Sequence, residues 1–174
     1  MGVFYYVWVM KKFFFVLTML FGFNLYSQTM DRAVLIGGLT YGESLEKQVS
    51  RLSSSLGVPV KGFSHSESIT TIKEYLEKNK NVPIFLFSAG CKLSSQLSSL
   101  PYVDKNRFYI IEPYHSGGNV TKSVRKSISD GVPECNVFVG PVSERGFGIV
   151  KGSLSSNTNC HYCSISTVGS FLRN

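Results

Sequence analysis

Charge is scarce in this chain: Asp, Glu, Lys and Arg together make up 17% of its 174 residues. The charges do not gather into runs, which excludes a polyelectrolyte tail. The 43% of hydrophobic residues excludes a disordered or collagen-like chain. Histidine is scarcer still, with three copies, His65, His115 and His161, so chemistry that needs an imidazole has three places to find one. Four cysteines supply a single close pair, Cys160 and Cys163. A structural zinc site usually wants a second such pair, and Cys91 and Cys135 do not form one. No internal repeat, linker or second domain is visible, and the length suits one domain of ordinary size. The net charge is +7, but residues 1–27 carry two Lys and no acid; without them 16 basic residues stand against 11 acidic, a net +5. These scatter from Arg32 to Arg173, which reads as a solvated surface and gives no footprint for nucleic acid.

The apolar residues are unevenly loaded toward the N-terminus. Lys11 and Lys12 precede the run from Phe13 to Phe23, and Tyr26-Ser27-Gln28 follows it. A positive segment, an apolar stretch too short for a membrane span and then small or polar residues read as a secretory signal peptide. Residues 1–29 are therefore expected to be a leader or an N-terminal anchor, and residues 30–174 the folded domain. Translation from Met10 makes the first nine residues an over-extended start; translation from Met30 makes the protein cytoplasmic. The leading expectation is export to a periplasmic or extracellular space, with membrane contact through the leader only. Cys160-His161-Tyr162-Cys163 is a CxxC with an internal His, and four cysteines in an exported protein permit disulfides.

Short apolar runs alternate with helical patterns through the rest of the chain. Ala33–Ile36, a run starting at Val58 and ended by Gly62, Val82–Phe87, Arg107–Ile111 and Val137–Val139 read as strands. Between them, Leu45, Val49, Leu52 and Leu56 mark one face of a helix that Gly57 stops. Ser66 is a candidate N-cap for a helix bearing Ile69, Ile72, Tyr75 and Leu76. Further helices are expected over 93–100, over 120–128 and, at the end, over 164–172. Strands apolar on both faces and alternating with helices predict an α/β fold, a three-layer α/β/α arrangement with a mainly parallel sheet of about five strands.

In such a sheet the chemistry sits beyond the carboxyl ends of the strands. Gly37-Gly38-Leu39-Thr40-Tyr41-Gly42-Glu43-Ser44 follows the first strand and matches the spacing of a phosphate-binding loop, except that Glu43 stands where the motif has its Lys. An acid there repels phosphate, so the loop reads better as a tight turn or as a source of backbone N–H groups for an oxyanion. After the third strand comes Phe87-Ser88-Ala89-Gly90 and then a helix. A serine at a sharp strand-to-helix turn is the geometry of a nucleophile elbow; the alternative role for Ser88 is a helix N-cap.

Leu86-Phe87-Ser88-Ala89-Gly90 resembles the elbow of the α/β-hydrolase superfamily, with Leu86 where that superfamily usually has a small residue, and Ile36-Gly37-Gly38 is similar to its oxyanion loop. The resemblance covers residues 33–172. It implies a compact α/β-hydrolase-like domain with Ser88 as nucleophile and His161 as base, since the superfamily's His comes late, before a last helix. His115 is the fallback base. It places the acid most often after the fifth strand, at Glu144, and in some members at the position of Glu112. The oxyanion donors would be the N–H of Ala89 and that of Gly38 or Leu39. The expected activity is cleavage of an ester, thioester or amide through an acyl-enzyme, on a small-molecule or polymeric acyl substrate, with no cofactor, no metal and no nucleic acid. The rival expectation is a non-catalytic α/β binding protein of the cell envelope using the same strand-end loops.

Overall fold

The computed structural model describes residues 31–40, 42–113, 119–139 and 162–173. Five parallel strands form its centre: β1 (Ala33–Ile36), β2 (Val60–Phe63), β3 (Ile84–Phe87), β4 (Phe108–Ile111) and β5 (Val137–Phe138), in the spatial order β2-β1-β3-β4-β5. Every pairing is parallel. β1 and β3 are buried at every position, as strands covered on both faces must be. The expected α/β class and its parallel sheet are what the chain forms.

Helices cover both faces. On one side Leu52 and Leu56 of α1 (Leu45–Leu56) and Ile165 and Val168 of α5 (Cys163–Arg173) pack on Leu35, Phe85 and Phe87. On the other, Ile72 and Leu76 of α2 (Ile69–Lys78), Leu97 of α3 (Ser94–Ser98) and Val120 and Val124 of α4 (Asn119–Ser129) pack on Val34, Leu86 and Ile110. α1 begins at its Ser44 cap and ends at Gly57, whose φ of 75° is the left-handed turn that glycine adopts without a side-chain penalty. No described helix is long and apolar enough to cross a membrane.

Several element ends shift by one or two residues from the sequence reading, and three differences bear on the packing. β2 does not stop at Gly62 but runs on to Phe63, which pairs with Ile36 and accepts the Gly37 N–H at 2.9 Å; Gly62 serves packing instead, since an added Cβ would stand 2.4 Å from Val49 Cγ2 on α1. The cap of α2 is Ser68, whose hydroxyl accepts from the Thr70 N–H, while Ser66 bonds Ser64 in the preceding turn. The segment after β3 opens as a 3-10 helix over Ser88–Leu93 and only then becomes α3.

Leu86 is fully buried in the cluster that also holds Cys91, Leu97 and Val124. Truncating it to Ala removes three carbon atoms from a close-packed centre. The Leu86→Ala variant should lose roughly 2–5 kcal/mol of stability, read as a lower urea midpoint with an unchanged denaturant slope.

Candidate functional site

The strand order reverses direction between β1 and β3: the chain turns outward to β2 on one side and builds β4 and β5 on the other. A ligand site in an open parallel sheet lies at this reversal, beyond the carboxyl ends. The register says which residues meet there. Ile36 is level with Leu86, and Phe87 with Ile111. Two steps beyond Ile36 is Gly38, one step beyond Phe87 is Ser88, and one step beyond Ile111 is Glu112. Gly38, Ser88 and Glu112 therefore stand in a row, about 4.8 Å from one strand to the next.

The row is tightly made. A Cβ on Gly38 would lie 2.7 Å from Ser88 Cβ, so the glycine is what admits the serine. A Cβ on Gly90 would lie 2.4 Å from the carbonyl oxygen of Ile36 and 2.9 Å from that of Gly37, backbone atoms that cannot rotate away. The first turn of the helix is thus pressed against the end of β1. Reaching that position requires a sharp corner, and Ser88 makes it with φ at 52°. Glu112 makes a matching corner with φ at 44°. Left-handed backbone at a residue with a side chain costs on the order of 1–2 kcal/mol, and here two such residues are neighbours at the sheet's carboxyl edge. Ser88 is 5% exposed and Glu112 1%. The N-cap position belongs to Phe87, which offers no side-chain cap, and Ser88 is the first residue of the helix itself.

Further side chains hold the row in place. Gln48, fully buried on α1, accepts the Gly38 N–H at 3.0 Å and donates to the Glu43 carbonyl at 3.0 Å, which braces both ends of the glycine loop. Glu43 itself pairs with Arg51, Nε to Oε1 at 2.6 Å, so the acid at the phosphate-loop Lys position faces a residue of its own chain. Cys91 donates its thiol to the carbonyls of Leu86 at 3.3 Å and Ile111 at 3.7 Å, spanning β3 and β4 just below Ser88 and Glu112. On α5, the Ser164 hydroxyl donates to Glu112 Oε1 at 3.2 Å. The Tyr162 hydroxyl donates to the Leu39 carbonyl at 3.4 Å, and its ring lies 5.7 Å from that of Phe87. Residues 162–164 thereby reach the ends of β1, β3 and β4 together.

Of the residues expected from sequence, the structure brings Gly38, Leu39, Ser88, Ala89 and Glu112 to one place. The Gly38 N–H, one of the two expected loop donors, is committed to Gln48. His115, Glu144 and His161 lie outside the described residues; His161 immediately precedes Tyr162 in the chain. His65 follows β2 at the same carboxyl edge of the sheet. Gln48, Cys91, Ser164 and Tyr162 were not expected at the site, although Tyr162 lies inside the CxxC that the sequence shows. Cys163 is disulfide-bonded, and Cys91 and Cys135 are thiols. Comparison of the chain with protein-family models, with curated proteins and with solved structures finds no match.

Burial pushes the Cys91 thiol well above the usual range, and the negative charge of Glu112 pushes the same way. A thiol held protonated stabilises the fold fully below the ordinary thiol pKa and loses that contribution as pH rises above it, because the unfolded chain ionises first. Stability should therefore fall above about pH 8.5, by at most about 1.4 kcal/mol per pH unit from this group, and Cys91→Ser should flatten that fall between about pH 8.5 and 10. Iodoacetamide should modify the exposed Cys135 in the native protein and reach Cys91 only after unfolding.

Proposed function

We propose that the protein is a serine hydrolase that cleaves an ester, thioester or amide through an acyl-enzyme, with a fold of the α/β-hydrolase kind. The observation that carries this reading is the strained corner at Ser88, held against Gly38 and level with the buried carboxylate of Glu112. Backbone strain persists only where the surroundings over-determine it, and it concentrates at functional sites. A helix N-cap needs no such conformation, since its backbone is ordinarily extended.

In the proposed reaction Ser88 Oγ attacks the acyl carbon while His161 takes its proton. The tetrahedral oxyanion is met by the N–H groups of Ala89 and Leu39, and collapse expels the leaving group, which His161 protonates. Water, deprotonated by the same imidazole, then releases the acyl group. Glu112 orients His161 and stabilises its charged form. Between the two acids raised by the sequence, the register supports Glu112, which follows the strand adjacent to that of Ser88. Support for His161 as base comes from its chain neighbour Tyr162, which bonds the glycine loop and packs on Phe87.

Export fits the same picture. A disulfide at Cys163 persists in an oxidising compartment, and the run from Lys11 to Gln28 supports a leader that takes the chain there.

A fluorophosphonate probe tests the reading. The wild-type protein should label covalently, Ser88→Ala should not label at all, and Glu112→Gln should label on the order of a hundredfold or more slowly, since a triad without its acid keeps the nucleophile but loses the oriented base. A wild-type protein that is folded and never labels would sink the hydrolase reading in favour of a non-catalytic binding protein.

A further inference from the structure

The contact between Glu112 and Ser164 joins β4 to the first turn of α5 across 52 residues of chain. Both partners are buried, at 1% and 4% exposure, and the hydroxyl of Ser164 donates to Glu112 Oε1 at 3.2 Å. A buried carboxylate needs donors to remain charged, and Ser164 is one. We propose that Ser164 is a positioning residue for the hydrolytic reaction, an inference that rests on the reading of Ser88, His161 and Glu112 given above. By engaging one carboxylate oxygen it fixes the rotation of the Glu112 head group, and so the direction in which that group meets the base.

Three observations favour a positioning role over a simple tie between elements. First, Glu112 projects from a left-handed corner beyond the end of its strand, so the strand's own pleat does not dictate where the carboxylate points. Second, Ser164 is itself rigidly placed. α5 lies against α1 so closely that a Cβ on Gly169 would stand 2.1 Å from Ser55 Oγ and 2.8 Å from its Cβ, while Ile165 and Val168 are sunk in the core. The start of α5 is fastened too, by Tyr162 on Leu39 and Phe87. Third, Ser164 lies three positions after His161 in sequence, so one short segment supplies the proposed base and the group that orients the proposed acid.

The test measures fluorophosphonate labelling rates of Ser88 as a function of pH, alongside thermal unfolding. Ser164→Ala should label about tenfold more slowly, the loss expected when a hydrogen bond to a charged group is removed from an oriented assembly. The acidic limb of its pH–rate profile should move to lower pH, because a misdirected carboxylate no longer stabilises the imidazolium. Ser164→Thr should recover most of the rate, and Ser164→Val, which matches Thr in shape without the hydroxyl, should not; this pair carries the comparison if the alanine variant does not fold. Combined with Glu112→Gln, Ser164→Ala should add no further loss, since it acts through the same carboxylate. Labelling of Ser164→Ala at the wild-type rate, or losses that simply multiply in the double variant with an unmoved pH profile, would overturn the inference and leave the hydrolase reading standing. A folded wild-type protein that does not label removes both.

Discussion

The close approach of the segment after β3 to the end of β1 is the constraint on which the rest of the structure turns. Two glycines make it possible: Gly90 lies against the carbonyls of Ile36 and Gly37, and Gly38 lies against Ser88. No side chain fits at either place, and neither position needs left-handed backbone; close packing alone demands the glycines. Because the helix starts so near β1, the chain has no length in which to turn gradually. The whole change of direction falls on Ser88, which takes a conformation that residues with a side chain avoid. The strain at the serine is thus a consequence of packing two residues away, and it holds for as long as that packing does.

The other elements maintain this arrangement from both sides of the sheet. On one face Gln48 ties the glycine loop to α1 and α5 closes over α1. From below, the thiol of Cys91 satisfies carbonyls of β3 and β4 where the two strands turn away from each other into their separate corners. A protonated thiol suits that role: it is small, it donates, and its burial keeps it from ionising. The core on the α2–α4 side is the larger of the two, and Gln48, Tyr162 and Ser164 bring polar groups to the ends of β1 and β4 from the α1–α5 side.

Much of this was legible in the sequence because it follows local rules. Apolar runs of four residues between helical patterns define the strands, Leu45 to Leu56 repeats at helical spacing, and Gly57 ends it. Ser88 and the Gly37-Gly38 pair were visible because they directly follow strands. The remainder depends on contacts between distant segments. Nothing local separates Ser66 from Ser68 as a cap, since both are serines just before an apolar periodicity, and the choice falls to the residue whose hydroxyl reaches an N–H of the first turn. Gln48 reads as an ordinary polar position on α1; only the approach of the glycine loop makes it buried and bonded. Glu112 was one of two acids after strands, and its level with Ser88 becomes apparent only from the β3–β4 register. Ser164 has no signal at all in the chain, because its role exists only once α5 lies on α1.

Leu86 shows how bulk is distributed beneath the corner at Ser88, two positions further along the chain. Its side chain is large and fully buried, facing the cluster with Cys91 and Leu97. Phe85 and Phe87, one step to either side, face the opposite cluster, as strand alternation requires. The helix after Ser88 therefore passes over Leu86 with a full side chain between them, and its narrow contact lies toward β1 instead, where Gly90 meets backbone. A 3-10 opening suits this path: its tighter winding and longer rise per residue carry the chain from the corner at Ser88 past β1 before the wider α3 begins at Ser94. The volume that a glycine at position 86 would have surrendered remains filled by apolar atoms. A domain of this size has little other core in which to replace them.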